Sequence, residues 1–580
     1  MTQMQKQETI LGHPKGLFIL FFTEMWERFS YYGMRAILVL YIVSSPTGAN
    51  PGLGWTNAES LSLYGWYTML VYVMSIPGGI LADRLLGQKK AVMVGGLLLC
   101  AGHGILAITS LWAFYTGLAL IILGVGALKP NISTMVGGLY PAGDIRRDKG
   151  FTIFYIGINI GAFLSSLIVG YVGEKIGWHY GFGLAGIGML LGQVVYMWGQ
   201  KYLTTVGNYI PTAKVEGTNK SVPLTKIEKD RMIVMLLSFL IIIVFWGAFE
   251  QAGGLMNLYA KEKINRVILG WEIPASVFQS VNAFFIITCG TAVAAFWAGR
   301  RLKNKEESAI FKMALGTMIM GSGFFLMTAA SMDAAEPYSK AGLYWLIGAY
   351  FLHTIGELCA SPVALSFITK LAPVKYASIM MGVYFAATGL GNKLAGSLGE
   401  AAQSEPVKVE LIAEKPALQP FVADSVINKD DDFSIRSTVY LTENNEIHMI
   451  GMESQQDVRG LLKMDDKNRE HLAEILNTEG ATQEKPYHAT VRLSKDPDKK
   501  KVEENKGDGK DYSGQIIVEE VQTKAEFNIF TFIALLTIGF GGLLLLFLKK
   551  LKRLTHGAED ITDSHHEEQE GFEIADKENT

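Results

Sequence analysis

The chain has 580 residues, of which 49% are apolar and 18% charged, with a formal net charge of −3 and a mean hydropathy of +0.23. That balance, with apolar stretches recurring along the chain, places it among polytopic membrane proteins and argues against a set of soluble domains or a nucleic-acid binder. Cys100, Cys289 and Cys359 all fall inside apolar stretches and read as small apolar residues, so a disulfide framework is not expected.

Hydropathy predicts twelve membrane helices, near residues 16–43, 58–82, 90–108, 111–130, 149–174, 180–199, 231–257, 274–298, 309–330, 341–361, 376–398 and 527–549. The polar start of the chain and the length of the first stretch read as an uncleaved helix rather than a leader peptide. Within that helix the run EMWERFSYYG, Glu24 to Gly33, is the most informative segment. A charged group at the bilayer centre costs at least ~2.5 kcal/mol, so such groups usually face a protein interior. At 100° per residue, Glu24, Glu27, Arg28, Tyr31, Tyr32 and Arg35 share an arc of roughly 140° on one helix face. One polar side on an apolar helix suits a buried, water-accessible cavity that handles charge.

After helix 2 the loop GGILADRLLGQKK carries Asp83, Arg84, Gly87, Lys89 and Lys90 at a membrane boundary. It resembles the loop of the major facilitator superfamily, and GRRLKNK after helix 8 is its degenerate echo. Basic residues cluster in alternate loops, at Arg84, Lys89 and Lys90, at Arg146, Arg147 and Lys149, at Arg300, Arg301, Lys303 and Lys305, and at Lys549, Lys550, Lys552 and Arg553. The loops at 44–57 and 109–111 carry none, which predicts that both termini are cytoplasmic. Glycine and aromatic density in helices 2, 5 and 11 reads as close helix packing.

The expected organisation is an N-terminal six-helix bundle over 1–200, a cytoplasmic linker over 201–230, helices 7–11 of a C-terminal bundle over 231–399, an insertion over 400–526, helix 12 with a basic collar over 527–553, and an acidic disordered tail over 554–580. The fold expected is an all-α membrane protein of the major facilitator type with a small, β-rich extracytoplasmic domain between helices 11 and 12. In that insertion STVYL, NEIHMIG, HATVRL and GQIIVEEV alternate with period two and predict short strands, DDKNREHLAEIL predicts an amphipathic helix, and DPDKKKVEENKGDGKD predicts disorder. It holds no metal-ligand spacing, phosphate loop or catalytic pattern, and no enzyme activity, metal or cofactor is expected.

The remaining intramembrane charges are Lys129, Glu250, Glu357 and Lys393. Each needs a partner, and a cavity between two bundles offers Arg28, Arg35 and Lys129 in the first half to Glu250 and Glu357 in the second. Such bridges would close a gate that protonation releases. Lys393 can snorkel or pair locally, and His103 and His353 read as hydrogen-bonded packing residues, with a proton relay the alternative for either.

Five motifs in order, EMWERFSYYG, GALKPN, FTIFYIGINIGAF, FWGAFEQ and GELCASP, resemble the signatures of the proton-dependent oligopeptide transporter family. The likeness spans the predicted helices and excludes the insertion; residues 201–230 are too short for the two extra helices of many bacterial relatives. It implies a proton-coupled importer of di- and tripeptides with no cofactor beyond the proton gradient, in a bacterial inner membrane, without nucleic acid or an obligate protein partner. It assigns proton coupling to Glu24, Glu27, Arg28 and Glu250. It assigns substrate contacts to Arg28, Arg35, Tyr31, Tyr32, Tyr72, Lys129, Asn159, Asn282, Glu357 and Ser361, and gating bridges to Arg35, Glu250, Lys129 and Glu357. A carrier of another small anion or a peptide-like drug is the alternative, and a receptor acting through the insertion a more distant one.

Overall fold

A computed structural model describes residues 8–46, 49–141, 144, 146–208, 225–371, 377–413, 415–422, 433–495 and 512–557. Most of the linker, the lysine-rich stretch of the insertion and the acidic tail lie outside the described residues.

The helices are α1 (Lys15–Val43), α2 (Asn57–Val73, continued by Ser75–Leu81), α3 (Gln88–Leu106), α4 (Leu111–Gly138), α5 (Arg146–Lys175) and α6 (Trp178–Gly199) in the first half. The second half contains α7 (Lys226–Phe249), a short helix Leu255–Lys263, α8 (Ser280–Leu302), α9 (Ala309–Asp333), α10 (Leu343–Leu371), α11 (Ala377–Ala401) and, after the insertion with its helix α12 (Asp466–Glu479), α13 (Glu519–Leu554). Among the described residues, 10 helical stretches are long and apolar enough to cross a membrane. The 29-residue α1 and the 25-residue α11 match them in length, but α1 carries Glu24, Glu27, Arg28 and Arg35, and α11 carries Asn392, Lys393 and several glycines.

Capping boxes open two of the helices: Thr56 with Glu59 starts α2, and Thr225 with Glu228 starts α7. α7 therefore begins inside the expected linker, and α13 begins at Glu519, inside the expected insertion. Two expected helix ends are corrected outright. α4 runs past Pro130 to Gly138, and α10 runs past Pro362 to Leu371. Proline removes one backbone donor and frees the carbonyl four residues earlier, which bends a helix without ending it when packing holds both sides. In α4 the freed group is Gly126 O, and α2 comes so close to it that a Cβ on Gly78 would lie 2.0 Å from that oxygen.

Glycines set the other close approaches. A Cβ on Gly161 of α5 would fall 2.2 Å from Met25 O of α1, and one on Gly65 of α2 would fall 2.9 Å from the Cα of Gly396 of α11. The second contact joins the two halves. α5 meets the second half as well, at Gly170, where a Cβ would sit 2.6 Å from Ser276 Oγ. The turn after α2 uses Gly87 at φ +74°, so the glycine of the ADRLLG loop is required by its backbone.

The insertion folds as a six-stranded antiparallel sheet with α12. Its strands are β1 (Val407–Leu411), β2 (Phe433–Leu441), β3 (Ile447–Gly451), β4 (Leu462–Lys463), β5 (Tyr487–Lys495) and β6 (Tyr512–Val518), in the spatial order β3-β2-β5-β6-β1-β4. Alternate residues such as Ile435, Val439, Ala489, Val491, Leu493 and Ile516 bury one face with Leu472 and Leu476 of α12, giving the sheet its own core. β6 runs directly into α13.

Candidate functional site

The charged face of α1 is buried. Arg28 donates from Nε to Glu24 Oε1 at 2.7 Å and lies 3.0 Å from Glu27 Oε2. All three side chains are within 6% exposure. Among the described residues, Glu24 Oε2 and both oxygens of Glu27 have no hydrogen-bond partner. The expectation that Arg28 faces carboxylates of the second half is corrected here. Spacing of one residue and of four on a helix lets it satisfy two acids of its own helix first.

Two turns further, Arg35 does cross to the other half. Its Nη1 reaches both oxygens of Glu250 at 3.1 Å, and Nη2 donates to Gln279 Oε1 at 3.4 Å. Tyr64 of α2 adds a hydroxyl donor to Glu250 Oε2 at 2.8 Å, and the guanidinium of Arg35 lies 4.8 Å from the centre of the Tyr32 ring. Glu250 sits in a 3-10 turn that ends α7, and a single guanidinium nitrogen bridging both carboxylate oxygens, with the Tyr64 hydroxyl on one of them, gives this buried pair a defined geometry.

Lys129 and Glu357 are not paired with each other, which corrects the second expected bridge. The Lys129 ammonium lies 3.6 Å from the centre of the Tyr72 ring. The close α2–α4 packing at Gly78 and Gly126 brings these two side chains together. Glu357 of α10 accepts from Asn282 Nδ2 of α8 at 2.8 Å, and the same amide donates to Thr354 Oγ1 at 3.0 Å. Both groups lie within electrostatic reach of Glu250, Lys129 from the first half and Glu357 from the second. A cation over an aromatic face in the first half and a carboxylate held by the Asn282 amide in the second thus both lie near Glu250.

The other expected contact residues are placed around this centre to different degrees. Tyr31 packs edge to face on Tyr32 with ring centres 5.4 Å apart and is buried. Tyr155 of α5 lies within electrostatic reach of Glu357 and Tyr32. Asn159, one turn on, spends its amide on Tyr155 O at 2.9 Å. Ser361 lines a small apolar pocket with Trp246, Ala364 and Tyr384. His103 bonds Ser30 Oγ at 3.1 Å and His353 stacks against Phe324 with ring centres 4.5 Å apart, both packing roles. Lys393 reaches Ser397 Oγ at 3.2 Å and lies over Trp66.

Polar contacts between the halves gather at the end that carries the sheet. Besides Arg35 with Glu250, Glu174 of α5 accepts from Ser276 N at 2.7 Å and from Ser276 Oγ at 2.5 Å. Asn257 Nδ2 donates to Ala36 O at 2.9 Å, and Lys261 Nζ to Ser44 Oγ at 3.2 Å. Tyr64, Gln279, Glu174 and Asn257 were not singled out in the sequence. A polar residue inside a span marked each, yet nothing in one sequence says which partner it meets.

A family model described as the POT family matches residues 89–212 and 213–414. A protein of Lactococcus lactis subsp. cremoris, the Di-/tripeptide transporter, is 35% identical over 449 residues, covering 67% of this chain and 89% of its own length. The peptide transporter YePEPT of Yersinia enterocolitica is 33% identical over 454 residues, covering 67% of this chain and 88% of its own. Among solved structures, a variant of the peptide transporter POT in complex with alafosfalin aligns with a TM-score of 0.63 at 36% identity, over 68% of this chain and 90% of that one.

Proposed function

The chain belongs to the POT family and is a multi-pass membrane transporter, and from that premise we propose that it imports di- and tripeptides together with protons by alternating access. The observation that carries the substrate is the pair of opposite charges left unmatched to each other at the centre, Lys129 on one side and Glu357 on the other. A short zwitterionic peptide supplies the complement to both, its carboxylate toward Lys129 and Arg28 and its ammonium toward Glu357. Each such charge-assisted contact adds on the order of 1.5–3 kcal/mol, enough to select termini and weak enough to allow release.

The proton would act at Glu24 and Glu27, whose buried oxygens lack other donors. Protonating either weakens its hold on Arg28 and frees that guanidinium for the peptide carboxylate. Glu250 would be the second coupling group, because losing its charge would release Arg35 and so open the end that carries the sheet. The architecture behind this is a twelve-helix major facilitator fold with both termini cytoplasmic, the sheet outside and the membrane that of a bacterial cell. The basic loops support that orientation: Arg300, Glu306 and Lys552 of one collar bond together, and Arg231 donates to Thr555 O beside them.

The test is uptake of labelled dialanine by liposomes containing the purified protein, with and without an inward proton gradient. Accumulation that requires the gradient is expected. Uptake unaffected by collapsing the gradient would remove the coupling, and no uptake of dialanine or mixed di- and tripeptides would favour an anion or drug carrier.

A further inference from the structure

On the face turned away from the sheet's core, β5 meets the second half through three polar side chains. On β5, His488, Thr490 and Arg492 point away from the sheet's own core, and each meets an acid. His488 Nδ1 lies 2.6 Å from Glu520 Oε1, Thr490 Oγ1 donates to Glu519 Oε1 at 2.7 Å, and Arg492 Nη1 lies 3.2 Å from Glu262 Oε1. Glu519 in turn takes Lys263 Nζ at 2.8 Å, and Tyr338, between α9 and α10, donates to Ala489 O at 3.2 Å.

Two of these partners, Glu262 and Lys263, end the short helix Leu255–Lys263, and the same helix is what the second half presses onto the first. From one end to the other it gives Asn257 to Ala36 O, Lys261 to Ser44 Oγ and Glu262 to Asn57 of α2. Asn57 Nδ2 stands 3.5 Å from Glu262 Oε1 and 3.2 Å from Gln403 Oε1, at the base of the insertion. Gln403 is itself bonded by Gln522 Nε2 at 3.3 Å. The oxygen that Asn57 meets on Glu262 is the one that Arg492 holds.

We propose that the sheet is a brace for the closed end, with Arg492 the positioning residue that holds Glu262, and through it the helix Leu255–Lys263, against the first half. The insertion then sets how firmly the two halves close, while peptide contacts remain with the bundles. The proposal rests on the alternating-access reading given above.

The test measures spin-label distances between Leu111 at the start of α4 and Tyr344 at the start of α10, both exposed, each changed to Cys in a protein whose three native cysteines are replaced by Ala. The proteins compared are this background, Arg492→Ala, Arg492→Lys and Arg35→Ala. Arg492→Ala should raise the ratio of long to short distances about two- to five-fold, the effect of losing one partly exposed ion pair, with Arg492→Lys returning toward the background. Arg35→Ala should raise it more. An Arg492→Ala distribution equal to the background, with Arg35→Ala shifted, overturns the brace alone. Distances that move in neither variant overturn alternating access at this end and the brace with it. Because the Arg492 side chain lies on the face of the sheet turned away from its core and is half-exposed, equal melting temperatures for Arg492→Ala and the background are expected, so a shifted distribution reports positioning rather than unfolding.

Discussion

Replacing Arg35 by Ala tests how the two halves are held at the end that carries the sheet. In the closed arrangement Glu250 is 5% exposed and accepts three contacts from two donors, two from Arg35 Nη1 at 3.1 Å and one from the Tyr64 hydroxyl at 2.8 Å. Removing one partner of a buried pair typically costs 3–5 kcal/mol, because the remaining charge stays desolvated. Tyr64 retains one bond, which argues for the lower end, about 3 kcal/mol. That penalty falls on the closed state, since opening this end hydrates Glu250. At 1.4 kcal/mol per decade, the open-to-closed ratio should rise on the order of 100-fold. The assay is the rate at which a membrane-impermeant thiol reagent labels a cysteine introduced at Tyr64 or, leaving that hydroxyl in place, at Gln279. Labelling should accelerate and proton-driven accumulation should fall. The double variant Arg35→Ala with Glu250→Gln, which leaves no buried charge, should recover much of the closed state. Labelling of Arg35→Ala at the background rate would refute the argument, because it would mean that the pair does not hold this end shut.

Four further outcomes follow from the same structure. Glu357→Gln keeps the Asn282 contact but removes the charge, so free-amine dipeptides should compete for uptake about 10- to 100-fold less well while N-acetylated ones change little; equal loss for both would make Glu357 structural. Glu24→Gln and Glu27→Gln should abolish gradient-driven accumulation and leave counterflow exchange, read by preloading liposomes with unlabelled peptide. Gly65→Ala should overpack the α2–α11 seam, where the new Cβ would lie 2.9 Å from Gly396 Cα, and lower thermal stability by about 1–3 kcal/mol together with uptake. Removing about Gln403 to Lys524 and joining the ends by a short linker should preserve uptake, because no residue at the centre comes from the sheet; abolished uptake in a well-folded variant would make the insertion part of the transport machinery.

What a single sequence discloses and what it hides divide along a physical line. Periodicity is local, so the arc on α1 and four of the insertion's six strands are readable: HATVRL lies in Tyr487–Lys495 and NEIHMIG ends in Ile447–Gly451, whereas β1 and β4 give no such signal and the last residues of GQIIVEEV open α13. Proline and partner choice are tertiary. Pro130 and Pro362 look like helix ends by propensity, and only the glycine-mediated approach of α2 to Gly126 O explains why α4 continues and why Lys129 meets Tyr72. Charges of opposite sign across the cavity suggest partners for Arg28 there, and its own helix supplies nearer ones.

β5 carries the same lesson to the closed end. Alternation separates Ala489, Val491 and Leu493 from Thr490 and Arg492 and, in an isolated sheet, gives the second set to water. Here that face meets Glu519 and Glu262, so polar residues that read as a solvated surface form the seam between insertion and transporter. The family model stops at residue 414, short of β5 and of α13, so a resemblance to the family offers no guide to this seam. Its chemistry is charge matching at a surface, which leaves no hydropathy signal. If the brace operates, exchanging the signs in Arg492→Glu with Glu262→Arg should restore the closed population that either change alone loses. Failure of that exchange, with both proteins folded, would leave the pair an incidental contact of the docked sheet.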